Sequence, residues 1–533
     1  MQRCPSLFRP SCAFQHRLRR VFLPLLVLLL LAGAGCKSPK PLANPQAAGP
    51  VAAPTELIFL QLNDVYEIAP LEGGRVGGMA RVATLRNELL KENGHTFTVL
   101  AGDFLSPSVI GTARIDGQRV AGAQMVDVMN EVGIDFVTFG NHEFDLRESD
   151  LQARIDESRF EWISANVLHK TEAGVMPFHR NEDGEKFPFP PYEVIYLRDA
   201  FDGRSLRVGI IAVTLPFTRQ PYLEYLDVFE AAKEAYEQIR ENCELVVAIT
   251  HLAMEDDREL AKALPGLALI MGGHEHENMY EWVGEVPIAK ADANAKSAYV
   301  HRLRYDPGTG KTQVDSKLRV LDSLVTLDPV ISARVASWEQ RAYQVFKDQG
   351  FDLDAPVTTL KEPLNGLESY IRNQPANLGI AVAQAMYEAA DDADVAILNS
   401  GSIRIDDYLS GSITQFDIIR TLPFGGAILK VDMKGELLQR VLEAGIRNKG
   451  MGGYLQTWQA TQTPDQKWQI GGAPLDPART YRVAITDFLM TGGEANLDFL
   501  VKDHPQVIAV REPGTEDILR DVRLVLVQYL RKL

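Results

Sequence analysis

The sequence predicts an α/β protein of two domains, and three features predict it. Five short apolar runs each end in a residue able to hold a metal: IFLQLND at 58–64, FTVLAGD at 97–103, DFVTFGNHEFD at 135–145, LVVAITH at 245–251 and LALIMGGHEH at 267–276. From 56 to about 320 such runs alternate with amphipathic segments, the pattern of layered α/β architecture. A second alternating region runs from about 351 to 533.

In chain order, the first 35 residues carry Arg3, Arg9, Arg17, Arg19 and Arg20 with no acid, then an apolar stretch from Val21 to Leu31 and the string AGAGC. A basic segment, a short apolar core and small residues describe a signal peptide over 1–35, with Cys36 as the lipidated first residue of the mature chain. The alternative is a cleaved signal with an incidental cysteine, and Gly33 stands where a lipobox usually has an aliphatic residue. Residues 36–55, rich in Pro and Ala, then form an extended tether. The expected location is the cell envelope, with the chain lipid-anchored and facing the periplasm or the cell surface. Losing five arginines takes the formal charge from −16 to −21. So acidic a chain excludes nucleic acid and anionic lipid as general partners, because both demand basic patches. The membrane link is then the lipid alone. Of four cysteines, only Cys243 remains unassigned, and it reads as a small core residue.

The first domain is expected over 56–325, with helices over 79–93 and 228–242. A connecting helix follows within 326–350; its pattern, LDPVISARVASWEQRAYQVFKD at 327–348, opens on Asp328 and Pro329. The second domain, 351–533, has strand-like segments at 396–399, 428–432 and 481–486 and a final amphipathic helix near 516–532. Two domains facing across a cleft is the natural reading, since ligand sites favour domain interfaces.

Strands buried on both faces read as unbroken apolar stretches, and in such sheets the functional groups sit beyond the carboxyl ends of the strands. Asp64, Asp103, Asn141, His251, His274 and His276 would therefore meet at one edge. Their oxygen and imidazole donors suit zinc, manganese, iron or cobalt, whereas calcium prefers oxygen throughout. Six donors exceed one tetrahedral ion, which points to two ions sharing a carboxylate, about 3.5 to 4 Å apart and suited to displacement at phosphorus. His142 and Asp145, three apart, are close enough on a turn for the carboxylate to orient the imidazole; the plainer role for Asp145 is a helix cap.

The strings NDVYEI, AGDF, GNHEFD, ITHL and GGHEHE, in this order and spacing, resemble the calcineurin-like metallophosphoesterases. LNSGSIR at 398–404, TLPFGG at 421–426 and TDFLMTGGE at 486–494 look like the C-terminal domain of the 5′-nucleotidase family. The resemblance implies a four-layer αββα first domain and an α/β substrate domain. It also implies two divalent or mixed-valence transition metal ions, with zinc, manganese and iron not distinguished. By resemblance, Asp103 bridges the ions, Asn141, His251 and His274 complete one, and Asp64 and His276 belong to the other. His142 and Asp145 would serve transition-state stabilisation and proton transfer to the leaving group. Phe424 and Phe488 would sandwich a base, Arg404 and Arg372 grip phosphate or carboxylate oxygens, and Glu494 stands where the family usually has Asp for the ribose hydroxyls.

Two positions depart from the family pattern. Tyr66 occupies the place of a usual histidine ligand; it either holds a ferric ion as phenolate or leaves its place to water. Gly426 stands where a base-reading Asn is common, which predicts loose base discrimination. The expected activity is removal of the 5′-phosphate from nucleotides by a metal-activated hydroxide. The alternatives are a phosphodiesterase or pyrophosphatase acting on 2′,3′-cyclic nucleotides or UDP-sugars, and a nucleotide-binding lipoprotein without turnover.

Overall fold

The computed structural model describes residues 54–198 and 205–533. The signal segment, Cys36 and the tether up to residue 53 lie outside these residues. Two six-stranded sheets form the centre of the first domain. One has the spatial order Lys311–Val320, Ser297–Asp306, Thr55–Leu62, Thr96–Ala101, Phe136–Thr138, Glu161–Trp162. The other runs Tyr192–Arg198, Ser205–Thr214, Leu245–His251, Leu269–Gly272, Val286–Lys290, Met279–Val283. In each, the strands that lead to the motif residues are parallel to one another, so their carboxyl ends share an edge.

Alternation along the strand Thr55–Leu62 shows why the runs are apolar throughout. Leu57 and Phe59 enter the core between the sheets with Val99, Val208, Ile210, Val247, Ile249 and Met271. Ile58, Leu60 and Leu62 point the other way, under the helices Met79–Glu92 and Ala123–Val132. The outer face of the second sheet is covered by Val228–Ile239 and Met254–Ala263. Four layers, αββα, result, and the central strands of each sheet are buried on both faces. Cys243 packs, partly buried, against the second of these cores.

The helix Pro329–Asp348 starts where Asp328 accepts hydrogen bonds from the N–H groups of Val330 and Ile331, with Pro at its first position. It is no free-standing spacer: Ile331, Val335, Ala342 and Phe346 complete the first domain's outer core. Beyond it, a five-stranded sheet has the order Leu455–Trp458, Val395–Asn399, Thr480–Thr486, Ile428–Lys434, Val507–Arg511. Helices Asn377–Ala390 and Val522–Leu530 pack on one face and Gly435–Arg447 on the other. The final helix is shorter than the stretch from 516 to 532 that the sequence predicts. Asp517 caps one tight turn, Ile518–Arg520, and Asp521, extended at φ −150°, breaks the chain there and caps a new helix. Among the described residues, no helix is long and apolar enough to cross a membrane.

Candidate metal centre and substrate cleft

Each motif residue reaches the common edge from the loop that ends its strand. Asp64 and Asp103 adopt φ values of 54° and 57°, and His274 of 87°, a left-handed backbone that non-glycine residues rarely take. These tight turns bend the chain back over the strand ends. Gly140 has to be glycine, since a Cβ there would collide with Asp103 Oδ1.

Asp64, Asp103 and His251 each present one atom within 4.8 Å of the others, and all three are buried. His251 Nδ1 lies 2.8 Å from the Ala101 carbonyl, which fixes it as the N–H and leaves Nε2 an electron pair. That Nε2 lies 3.2 Å from Asp103 Oδ2 and 3.2 Å from Asn141 Oδ1. Asp64 Oδ1 is buried with no hydrogen-bond partner. A cluster of acceptors facing one another with an orphaned carboxylate oxygen fits a cation. The donor chemistry, two carboxylates with imidazole, suits divalent transition metals.

His276 stands beside this cluster. Its Nδ1 is 3.0 Å from Asp406 Oδ2, and its Nε2 is 3.5 Å from Asp64 Oδ1. His274 meets His251 edge to face at 5.4 Å between ring centres, and its N–H donates to Asp64 Oδ2 at 3.0 Å. The electrostatics follow. Burial favours neutral imidazole, yet with no cation to balance the carboxylates Asp103 lifts His251 to about 9, and Asp406 with Asp64 lifts His276 to about 10; a bound cation takes the place of those protons. His274, buried and repelled by His251, drops to about 4. Burial also works against charge on Asp103, but His251 and His142 hold it below the usual carboxylate range.

Tyr66 fills the place of the usual histidine. Its hydroxyl donates to Asp103 Oδ2 at 3.2 Å and lies 3.0 Å from His276 Nε2. Burial and the charges of Asp103 and Asp64 push its pKa well above the ordinary phenol value.

His142 donates its backbone N–H to Asp103 Oδ1 at 2.6 Å, and its Nδ1 lies 2.8 Å from Asp145 Oδ2. Asp145 thus orients the imidazole instead of capping the next helix, whose first turn begins at Glu148 without a side-chain cap. Arg404 reaches in from the second domain, pairing with Asp145 Oδ2 and placing Nη2 2.8 Å from His142 Nδ1. Its guanidinium lies 5.8 Å from the centre of the Phe424 ring. Phe424 and Phe488 are 52% and 45% exposed, so neither is an ordinary core aromatic. Arg372 is buried against Glu368. Glu494 accepts from Asn399 Nδ2 at 2.9 Å and from the Ala495 N–H at 2.9 Å. Gly426 has φ 105°, and a Cβ there would stand 2.7 Å from Asp487 Oδ1; Asp487, not residue 426, holds the polar group at that spot.

Several residues escape the sequence reading. Glu143, inside GNHEFD, is fully buried and accepts four backbone N–H groups, from Asp103 at 2.9 Å, Phe104 at 2.7 Å, Leu105 at 3.0 Å and Gly140 at 2.6 Å. Asn63 bonds Asp64 Oδ2 at 2.8 Å and the Ala291 carbonyl at 3.0 Å, tying the two sheets together under the centre. Glu275, between the two loop histidines, accepts from the Met254 N–H at 2.6 Å and pairs with the fully buried Lys290. All three were within reach of the sequence, since each adjoins a motif residue. Asp406 and Glu368 carried no such signal.

The chain matches the calcineurin-like phosphoesterase family over residues 57–278 and the 5′-nucleotidase C-terminal domain over residues 356–501. It is 27% identical over 422 residues to protein UshA of Yersinia enterocolitica, spanning 69% of this chain and 73% of that protein. It is 25% identical over 509 residues to the 5′-nucleotidase of Bos taurus, spanning 84% of each. The crystal structure of a 5′-nucleotidase precursor from Thermus thermophilus shares the fold, with a TM-score of 0.66 at 22% identity over 90% of this chain and 96% of that one. Fold, donor set and matches together define a metal-dependent phosphoric ester hydrolase with a dinuclear divalent metal centre. The chain belongs to the 5′-nucleotidase family, in which a calcineurin-like phosphoesterase domain precedes a 5′-nucleotidase C-terminal domain.

Proposed function

We propose that the protein removes the 5′-phosphate from nucleotides outside the cytoplasmic membrane, where a lipid on Cys36 holds it. The observation that carries this reading is the convergence of Asp64, Asp103 and His251 within 4.8 Å, next to the His142 and Asp145 pair. In this reading Asp103 is shared between two ions, Asn141, His251 and His274 serve one, and Asp64 and His276 serve the other. When bound, the ions supply Lewis acidity at the phosphoryl oxygens and a nucleophile at neutral pH. His142, aligned by Asp145, gives a proton to the leaving oxygen. Arg404 anchors the phosphoryl group and holds Asp145 in place. Phe424 and Phe488 clasp the base, and Glu494 takes the ribose hydroxyls.

The test is phosphate release from AMP, UDP-glucose, 2′,3′-cyclic AMP and bis(p-nitrophenyl) phosphate, with metal content per chain measured before and after chelation. AMP is the expected preferred substrate, with release lost on chelation and in Asp103→Ala. Nucleotide binding with no metal-dependent release would overturn the reading in favour of a binding protein. For the anchor, mass spectrometry of the mature N-terminus should show an acylated Cys36; an unmodified N-terminus elsewhere refutes it.

A further inference from the structure

The cleft offers an incoming phosphate two guanidinium groups, yet carboxylates of the chain already engage both. Arg404 is paired with Asp145, and Arg372 Nη1 lies 2.5 Å from Glu368 Oε1. Glu368 is itself fixed, since its N–H donates to Asp406 Oδ1 at 2.5 Å. Its second oxygen, Oε2, lies 4.0 Å from His142 Nε2. Nε2 is the ring atom left to face the leaving group, because Nδ1 is turned to Asp145. A fixed negative charge therefore borders the space into which a phosphoryl group has to come.

We propose that Glu368 is a specificity-determining residue that penalises the second negative charge of a phosphomonoester and so lets singly charged phosphodiesters compete at the same centre. This rests on the phosphohydrolase reading above and adds to it: one centre hydrolyses both ester classes, and Glu368 sets their ratio. The physical basis is Coulombic. Repulsion from one fixed charge scales with the charge of the ligand, so whatever factor its removal gains for a monoanion is squared for a dianion. For charges a few ångströms apart in a partly wet cleft, with Arg372 offsetting part of the field, removal gains a monoanion about threefold and a dianion about tenfold.

The experiment compares the wild type, Glu368→Gln and Glu368→Asp, each at matched metal content. The kcat/KM values for p-nitrophenyl phosphate and bis(p-nitrophenyl) phosphate are measured at pH 8, and inorganic phosphate binding is measured by calorimetry. Glu368→Gln should raise the monoester value about tenfold and the diester value about threefold, and tighten inorganic phosphate about tenfold. Glu368→Asp, which keeps the charge, should stay near wild type in the ratio. A monoester-to-diester ratio unchanged within about twofold in Glu368→Gln overturns the proposal. An equal shift in Glu368→Asp does the same, because it would trace the effect to packing. If no ester is hydrolysed by the wild type, the phosphohydrolase reading is what fails, and phosphate binding decides the charge effect alone: equal affinities in wild type and Glu368→Gln refute it.

Discussion

Glu143→Gln tests how the first domain places Asp103. The carboxylate accepts two N–H groups on each oxygen, Phe104 and Leu105 on Oε1, Asp103 and Gly140 on Oε2. A glutamine amide accepts on its oxygen only, so whichever way it turns, its NH2 faces two buried N–H donors. Leaving two such groups unpaired costs about 1 to 3 kcal/mol each, about 4 kcal/mol together. For a first domain of about 270 residues, at about 2.1 cal/mol/K of unfolding entropy per residue, that is a fall in Tm of about 7 °C. Burial, then the Asp103 charge, push Glu143 up to about 7 against its four N–H bonds, so pH 8 is the condition at which the ionised carboxylate is compared with the amide. Because that value lies above the ordinary carboxyl's, proton uptake below about 7 stabilises the folded wild type while the amide gains nothing, so the gap should widen at pH 6. The assay is thermal unfolding by circular dichroism at pH 8 and pH 6, with bound metal counted by plasma mass spectrometry. The variant should unfold earlier and, because the Asp103 turn is loosened, hold less metal. A Tm within about 2 °C of wild type at pH 8, with unchanged metal content, would show that these four bonds neither stabilise the turn nor position Asp103.

Phe424→Ala and Phe488→Ala should each lower kcat/KM for AMP by roughly 5- to 150-fold, the loss of about 1 to 3 kcal/mol of stacking, while β-glycerol phosphate, which has no base, is hydrolysed as before. Equal losses on both substrates would remove the aromatic clasp. His142 should set the alkaline limb of the rate profile. Burial would lower its pKa, but Asp145 and Asp103 raise it above the ordinary imidazole value, so the proton-donating form prevails below that raised pKa and is lost as pH climbs through it. Asp145→Asn should move the limb to lower pH, and an unmoved limb argues against His142 as the acid. Tyr66→His should tighten the binding of the ion beside His276, read as metal bound per chain at limiting zinc; superimposable titrations would show that the phenol position is not part of that site.

What was legible in the sequence was local. An apolar run followed at once by Asp, Asn or His reports a doubly buried strand and the group at its end, because burial on both faces and placement at a carboxyl edge are properties of a few consecutive residues. That reasoning located Asp64, Asp103 and His251, and the spacing of three between His142 and Asp145 was enough to pair them on a turn. The final helix misled for a related reason: an amphipathic pattern over 516–532 does not register that Asp521 is extended and restarts the helix.

The rest depended on side chains meeting across long stretches of chain. Arg404 finds Asp145 at a separation of 259 residues and His276 finds Asp406 at 130, both across the cleft between the domains. Asn63 spans 228 residues to Ala291. No periodicity or propensity encodes such pairs, since they follow from how two domains and two sheets pack. The sequence by itself therefore determined the layered architecture and the groups brought to one edge. Only the tertiary structure decided that Arg404 pairs with Asp145 and that Glu368 sets a negative charge against His142, because each effect acts through space over a few ångströms between residues the chain keeps far apart.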